Sequence, residues 1–69
     1  MDAKEIGRLL EARRVMLDLR QEDLAEMSGV TSRTIYQLEN GAGNPSLQTL
    51  EKLFRILGLE IIVQVKKSV

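Results

Sequence analysis

The chain has 69 residues, 43% of them hydrophobic and 29% charged, which describes one ordinary folded domain rather than a disordered tail. A domain this small buries only about 60% of its unfolded surface, and pairing with a second copy is a common remedy. It contains no Cys and no His, which excludes disulfides, His/Cys metal sites and thiol or imidazole catalysis. No apolar run approaches about 18 residues, so no segment reads as membrane-spanning. Residues 1–8 carry an early acid and no apolar signal core, so the expected compartment is the cytoplasm. Ten basic and ten acidic residues cancel, with a pI near 6.2. Nucleic-acid binders are ordinarily basic. Neutrality therefore argues against tight non-specific binding, while leaving room for one locally positive face.

In chain order, Asp2 to about Leu17 predicts a helix. Ile6, Leu10 and Leu17, with Leu9 and Ala12, fall on one broad apolar face. Gly7 lies within it and weakens it by roughly 1 kcal/mol relative to Ala, a cost that a close helix contact would justify. Asp18 falls in a turn, and Leu19 anchors the entry to a second helix, about Gln21–Ser28. Gly29 ends that helix in the left-handed conformation. A third helix follows at about Ser32–Glu39, with Thr31 as its N-cap. The run from Asn40 to Pro45, rich in Asn and Gly, is the one clear loop. Ser46 caps a fourth helix, about Leu47–Leu57. Its stripe is Leu47, Leu50, Leu53, Phe54 and Leu57, and Gly58 stops it. From Leu59 to Lys66 the period changes. Leu59, Ile61, Val63 and Val65 alternate with Glu60, Ile62, Gln64 and Lys66, which predicts a strand. The rival reading of this tail is a short fifth helix or a frayed end.

The segment from Gln21 to Gly41 is the most informative. Two short amphipathic stretches are joined by a Gly-containing turn, with Leu24, Ala25, Val30, Ile35 and Leu38 as the inward positions. The remaining face gathers Gln21, Thr31, Ser32, Arg33, Tyr36, Gln37 and Asn40, all able to hydrogen-bond. This is the pattern of a helix-turn-helix, whose second helix enters the DNA major groove.

Taken together, Ile6-Gly7, Leu10, Arg14, Leu19, Gln21, Leu24-Ala25, Gly29-Val30, Thr34-Ile35, Leu38-Glu39, Gly41, Pro45 and Leu57-Gly58 resemble the lambda-repressor-like (Cro/xenobiotic-response-element type) helix-turn-helix family. The resemblance covers about Ile6 to Gly58. It implies an all-α domain binding operator DNA as a homodimer, with Arg14 paired to Glu39 to fix the end of the third helix. The tail after Gly58 is similar to HipB-type antitoxins, which repress their own operon and bind a kinase-like toxin; there a strand pairs between subunits. Two positions depart from the family. Arg20 stands where Ser or Thr is usual, so the second helix loses a cap worth about 1 kcal/mol and gains a cation that opposes its dipole. Asp18 stands where Gly is common.

The expected architecture is therefore four helices followed by a C-terminal β-strand that pairs across a dimer. Residues 1–58 form the DNA-binding domain and 59–69 the dimerisation segment, with Leu59, Ile61, Ile62, Val63 and Val65 at the interface. Ser32, Arg33, Tyr36 and Gln37 read bases: Arg matches guanine, Gln matches adenine, and Tyr36 reaches a thymine methyl or a phosphate. Gln21, Thr31, Asn40, Arg20 and Asn44 meet phosphates and set register. The implied partners are a near-palindromic double-stranded operator, a second copy and a kinase-like toxin. No cofactor, metal or small-molecule ligand is expected. The rival function is a protein-interaction module of the same fold that ignores DNA. An enzyme is disfavoured, because the chain offers only ordinary carboxylates and no Gly-rich phosphate loop.

Overall fold

The computed structural model describes residues 1–67. It contains four helices: α1 (Ala3–Met16), α2 (Gln21–Ser28), α3 (Ser32–Glu39) and α4 (Leu47–Leu57). Three of them, α1, α3 and α4, begin at a side-chain oxygen cap. Asp2 Oδ1 accepts the Glu5 N–H at 2.9 Å, Thr31 Oγ1 accepts the Thr34 N–H at 3.2 Å, and Ser46 Oγ accepts the Thr49 N–H at 3.0 Å. Each side chain satisfies a donor that the first helical turn leaves without a partner. Gly29 and Gly58 end α2 and α4 with φ of 78° and 71°. Asp18 is the one non-glycine residue with positive φ among those described, at 58°. It occupies the conformation that glycine would adopt without steric cost.

Eight side chains close the core: Leu10, Leu24, Val30, Ile35, Leu38, Leu53, Phe54 and Leu57. Ile6, Leu19, Ala25, Leu50, Ile56 and Leu59 pack around them. The expected α1 face is narrower than its periodicity implied. Leu9, Ala12 and Leu17 are exposed. One turn beyond Leu10, the inward positions belong to Arg13 and Arg14. The Arg13 Nε–H donates to the Leu57 carbonyl at 3.0 Å, and Arg14 reaches α3. Aliphatic arginine stems cover apolar surface while their heads find acceptors, so Leu17 has no core to enter. Leu47, at the start of α4, is also exposed, and Ile56 takes a packing position that the expected stripe omitted.

Gly7 explains how α1 meets α3. It is buried, and a Cβ there would collide with the Leu38 carbonyl oxygen and lie 3.2 Å from that of Glu39. Only a residue without a side chain lets the backbones approach this closely.

The expected C-terminal strand is a correction. Residues 59–67 carry neither helix nor strand; the last two residues of the expected segment lie outside those described. A strand is sustained by ladder hydrogen bonds to a neighbour, and the described residues contain no second extended segment. The Leu59 N–H instead bonds the Phe54 carbonyl at 2.9 Å, finishing α4. Leu59 packs against the core. Beyond it exposure climbs, from 38% at Ile61 to 92% at Val63 and 96% at Val65. The described residues thus fold as four helices followed by an extended tail whose apolar side chains beyond Leu59 are exposed.

Candidate nucleic-acid interface

Helix α3 has two faces. Ile35 and Leu38 are buried, while Ser32, Arg33, Tyr36 and Gln37 are exposed. Positions 32, 33, 36 and 37 repeat one turn apart, so the inward pull of Ile35 and Leu38 turns those four side chains outward together. Tyr36 is 59% exposed, so its ring is no part of the core.

The C-terminal end of α3 is held by a part-buried polar network. Arg14 grips Glu39 through two hydrogen bonds, Nε to Oε2 at 2.6 Å and Nη2 to Oε1 at 2.9 Å. Its Nη1 donates to the Leu19 carbonyl at 2.7 Å. The Glu39 side chain is 2% exposed and that of Arg14 12%. The Arg14 guanidinium is held above its ordinary pKa, chiefly by the Glu39 hydrogen bond and against the opposing effect of burial. Gln21 joins this network, because its Nε2 donates to Glu39 Oε1 at 3.0 Å. Sequence reasoning assigned Gln21 to a phosphate alone and missed this contact. One amide hydrogen is used inside the protein, and the other is left for a ligand. Gln21 thereby ties the start of α2 to the end of α3.

Arg20 is also placed differently from expectation. It cannot accept a hydrogen bond, so α2 lacks an N-cap acceptor at that position, but Asp23 Oδ2 accepts the Arg20 N–H at 2.9 Å. The guanidinium then turns back onto two acids, Asp23 at 3.1 Å and Glu22 at 2.8 Å. Its charge therefore sits among carboxylates that favour the α2 dipole, so the expected conflict with the dipole is neutralised locally. Asp23 is held below its usual pKa by the Arg20 side chain first and the Arg20 backbone N–H second.

The remaining expected contacts surround α3. Thr31 is its N-cap and also donates its hydroxyl to Thr34 Oγ1 at 2.9 Å. Asn40 is its C-cap, with Nδ2 donating to the Tyr36 carbonyl at 2.7 Å. Asn44 is exposed and lines the same depression as Gln37 and Gly43. Gln21 and Ser32 line one shallow cleft of about 420 Å³ with Arg14 and Arg20. The tail residues Ile61, Ile62, Val63 and Val65 belong to a separate part of the molecule and line none of these depressions. No group of His, Cys, Asp or Glu among the described residues is arranged to hold a metal. No described helix is long and apolar enough to cross a membrane.

Known proteins match this chain in sequence. A helix-turn-helix family model covers residues 10–63. An uncharacterized HTH-type transcriptional regulator of Methanothermobacter thermautotrophicus is 46% identical over 54 residues, spanning 78% of each chain. The cryptic phage CTXphi transcriptional repressor RstR of Vibrio cholerae is 40% identical over 55 residues, which are 80% of this chain and 50% of that repressor. A further uncharacterized HTH-type regulator, from Methanocaldococcus jannaschii, is 40% identical over 48 residues, covering 70% of this chain and 73% of its own. With its exposed polar α3 face locked to α2 through Glu39, the chain belongs to the lambda-repressor-like helix-turn-helix family: it is a transcriptional regulator with a DNA-binding domain, and not an enzyme.

Proposed function

We propose that the protein is a repressor that binds a near-palindromic operator as a homodimer and controls its own promoter. The observation that carries this reading is the α3 surface, where four donor-rich side chains point outward from a helix whose two ends are pinned. Arg33 suits the O6 and N7 acceptors of guanine, Gln37 suits N6 and N7 of adenine, and Ser32 and Tyr36 flank them. Gln21, Thr31, Asn40, Arg20 and Asn44 surround this reading surface and set its register on the phosphates. Arg20 must then exchange part of its hold on Glu22 and Asp23 for a phosphate. Two copies place their α3 helices about one helical turn, ~34 Å, apart.

The dimer contact is assigned to the tail, from Leu59 through Ile61, Ile62, Val63 and Val65. Leu59 packs on the core, and the exposure of Ile61, Ile62, Val63 and Val65 leaves apolar surface that a small domain gains by covering. Repression is favoured over activation by the named repressor among the relatives. The antitoxin role, with its kinase-like toxin partner, draws only on small size and the apolar tail, and it ranks below operator repression.

The test is selection of duplexes from a randomised pool, followed by binding measurements on the selected site. Arg33→Ala should relax preference at one base pair per half-site, by about 1–3 kcal/mol. An equal loss on every sequence would show that Arg33 does not read a base. Failure of the wild-type protein to enrich any site would leave the protein-interaction module as the better reading.

A further inference from the structure

We propose a second phosphate-binding site, not among the expected contacts, formed by Lys4 and Arg8 of α1 beside the C-terminal end of α3. The proposal rests on the reading of α3 as the DNA-facing helix and adds to it the cations that hold the duplex on that side. Lys4 and Arg8 lie four residues apart, hence on one side of α1. They line one cleft of about 310 Å³ with Glu39, Asn40 and Gly41. Lys4 lies directly against the loop, since a Cβ at Gly41 would be 2.8 Å from Lys4 Cγ and 3.3 Å from Lys4 Cα. The close approach at Gly7 brings both cations here. Gly7 sits between them in sequence, and its bare backbone rests on the Leu38 and Glu39 carbonyls.

A phosphate at this end of α3 finds few other donors. The backbone N–H groups of Asn40, Gly41 and Ala42 all bond back to carbonyls of Tyr36, Gln37 and Leu38. Asn40 Nδ2 spends one of its two hydrogens on the Tyr36 carbonyl and keeps one for a phosphate. Glu39 is neutralised by Arg14. Elsewhere, Arg13 is tied to the Leu57 carbonyl and Arg20 to two acids. Lys4 and Arg8, by contrast, make no ion pair among the described residues and are exposed. They bring two unpaired cations into one cleft in a chain whose net charge is zero. Local concentration of that kind, rather than overall charge, is what an anionic backbone responds to.

The experiment measures the affinity of the full chain for a random-sequence 24-base-pair duplex across a salt series, and for a selected site. Lys4→Gln and Arg8→Gln should each lower the magnitude of the log-affinity against log-salt slope by about 0.9 per bound subunit. Base preference at the selected site should be unchanged. Arg8→Lys should keep the slope, and so should Lys52→Gln, which alters an α4 cation outside this cleft. Thermal melts by circular dichroism should be unaltered in all four variants. An unchanged slope in a variant carrying both Lys4→Gln and Arg8→Gln, with Arg33→Ala still relaxing base preference, would overturn this site and leave the repressor reading intact. A loss in Arg8→Lys as large as in Arg8→Gln would overturn the charge-based account. Salt-independent or absent duplex binding by the wild-type protein would remove both.

Discussion

The Arg14–Glu39 pair should show an asymmetric response to mutation. Arg14→Ala leaves Glu39 with one hydrogen bond, from Gln21, on a side chain that is 2% exposed. Glu39→Ala leaves Arg14 with its Leu19 carbonyl contact on a side chain that is 12% exposed and reachable by water. Breaking a buried pair from one side typically costs about 3–5 kcal/mol, because the abandoned charge loses both water and partner. We assign Arg14→Ala to that range and Glu39→Ala to about 2–3 kcal/mol, near the lower end of what an abandoned but partly hydrated charged group costs. A domain of this length has a total stability of roughly 3–10 kcal/mol, so Arg14→Ala removes much of it. At about 4–8 °C per kcal/mol, the midpoint should fall by more than 12 °C. Replacing both partners with apolar residues of similar volume, Arg14→Met with Glu39→Leu, should cost less than Arg14→Ala alone. Urea and thermal unfolding followed by circular dichroism at 222 nm would measure all four proteins. A double variant as unstable as the sum of the singles, or Glu39→Ala costing more than Arg14→Ala, would refute the reasoning.

Three further outcomes follow from the same geometry. Gly7→Ala improves helix propensity by about 1 kcal/mol, yet it forces a methyl into the Leu38 carbonyl. Overpacking costs about 1–3 kcal/mol, so the variant should be destabilised; a raised melting temperature would show that α1 can shift freely. Asp23 should titrate below an ordinary aspartate in a carbon-detected NMR titration, and Arg20→Ala should move it back up. Its folded-state pKa is depressed, so the stability it contributes is present above the unfolded pKa and is lost as pH falls through the folded value. Removal of residues 61–69, which spares the packed Leu59, should yield monomers in sedimentation equilibrium with the four-helix melt retained. A dimer that survives this truncation would place the interface elsewhere.

The sequence alone determined the local structure. Helix boundaries were legible because Asp2, Thr31 and Ser46 supply oxygen acceptors, and because Gly29 and Gly58 tolerate left-handed backbone. These are short-range effects, decided within one helical turn. The outward set Ser32, Arg33, Tyr36 and Gln37 was legible for a related reason: apolar spacing at Ile35 and Leu38 orients the whole helix. The packing of helices against one another depended on tertiary structure. Periodicity marks which residues are apolar, but not how wide a face the neighbours will cover, so Leu17 and Leu47 were read inward and lie exposed. Nor does it show that Arg13 and Arg14 send their heads to acceptors on other helices, 44 and 25 residues away in the chain. The tail exposes the same limit. Alternation describes a segment able to pair, whereas a strand requires a neighbour, and the described residues of a single copy provide none. Gln21 on Glu39 depends on how α2 packs against α3, and Lys4 and Arg8 beside Asn40 on the bare backbone of Gly7 against α3, because contacts between residues distant in sequence are set by which surfaces fit.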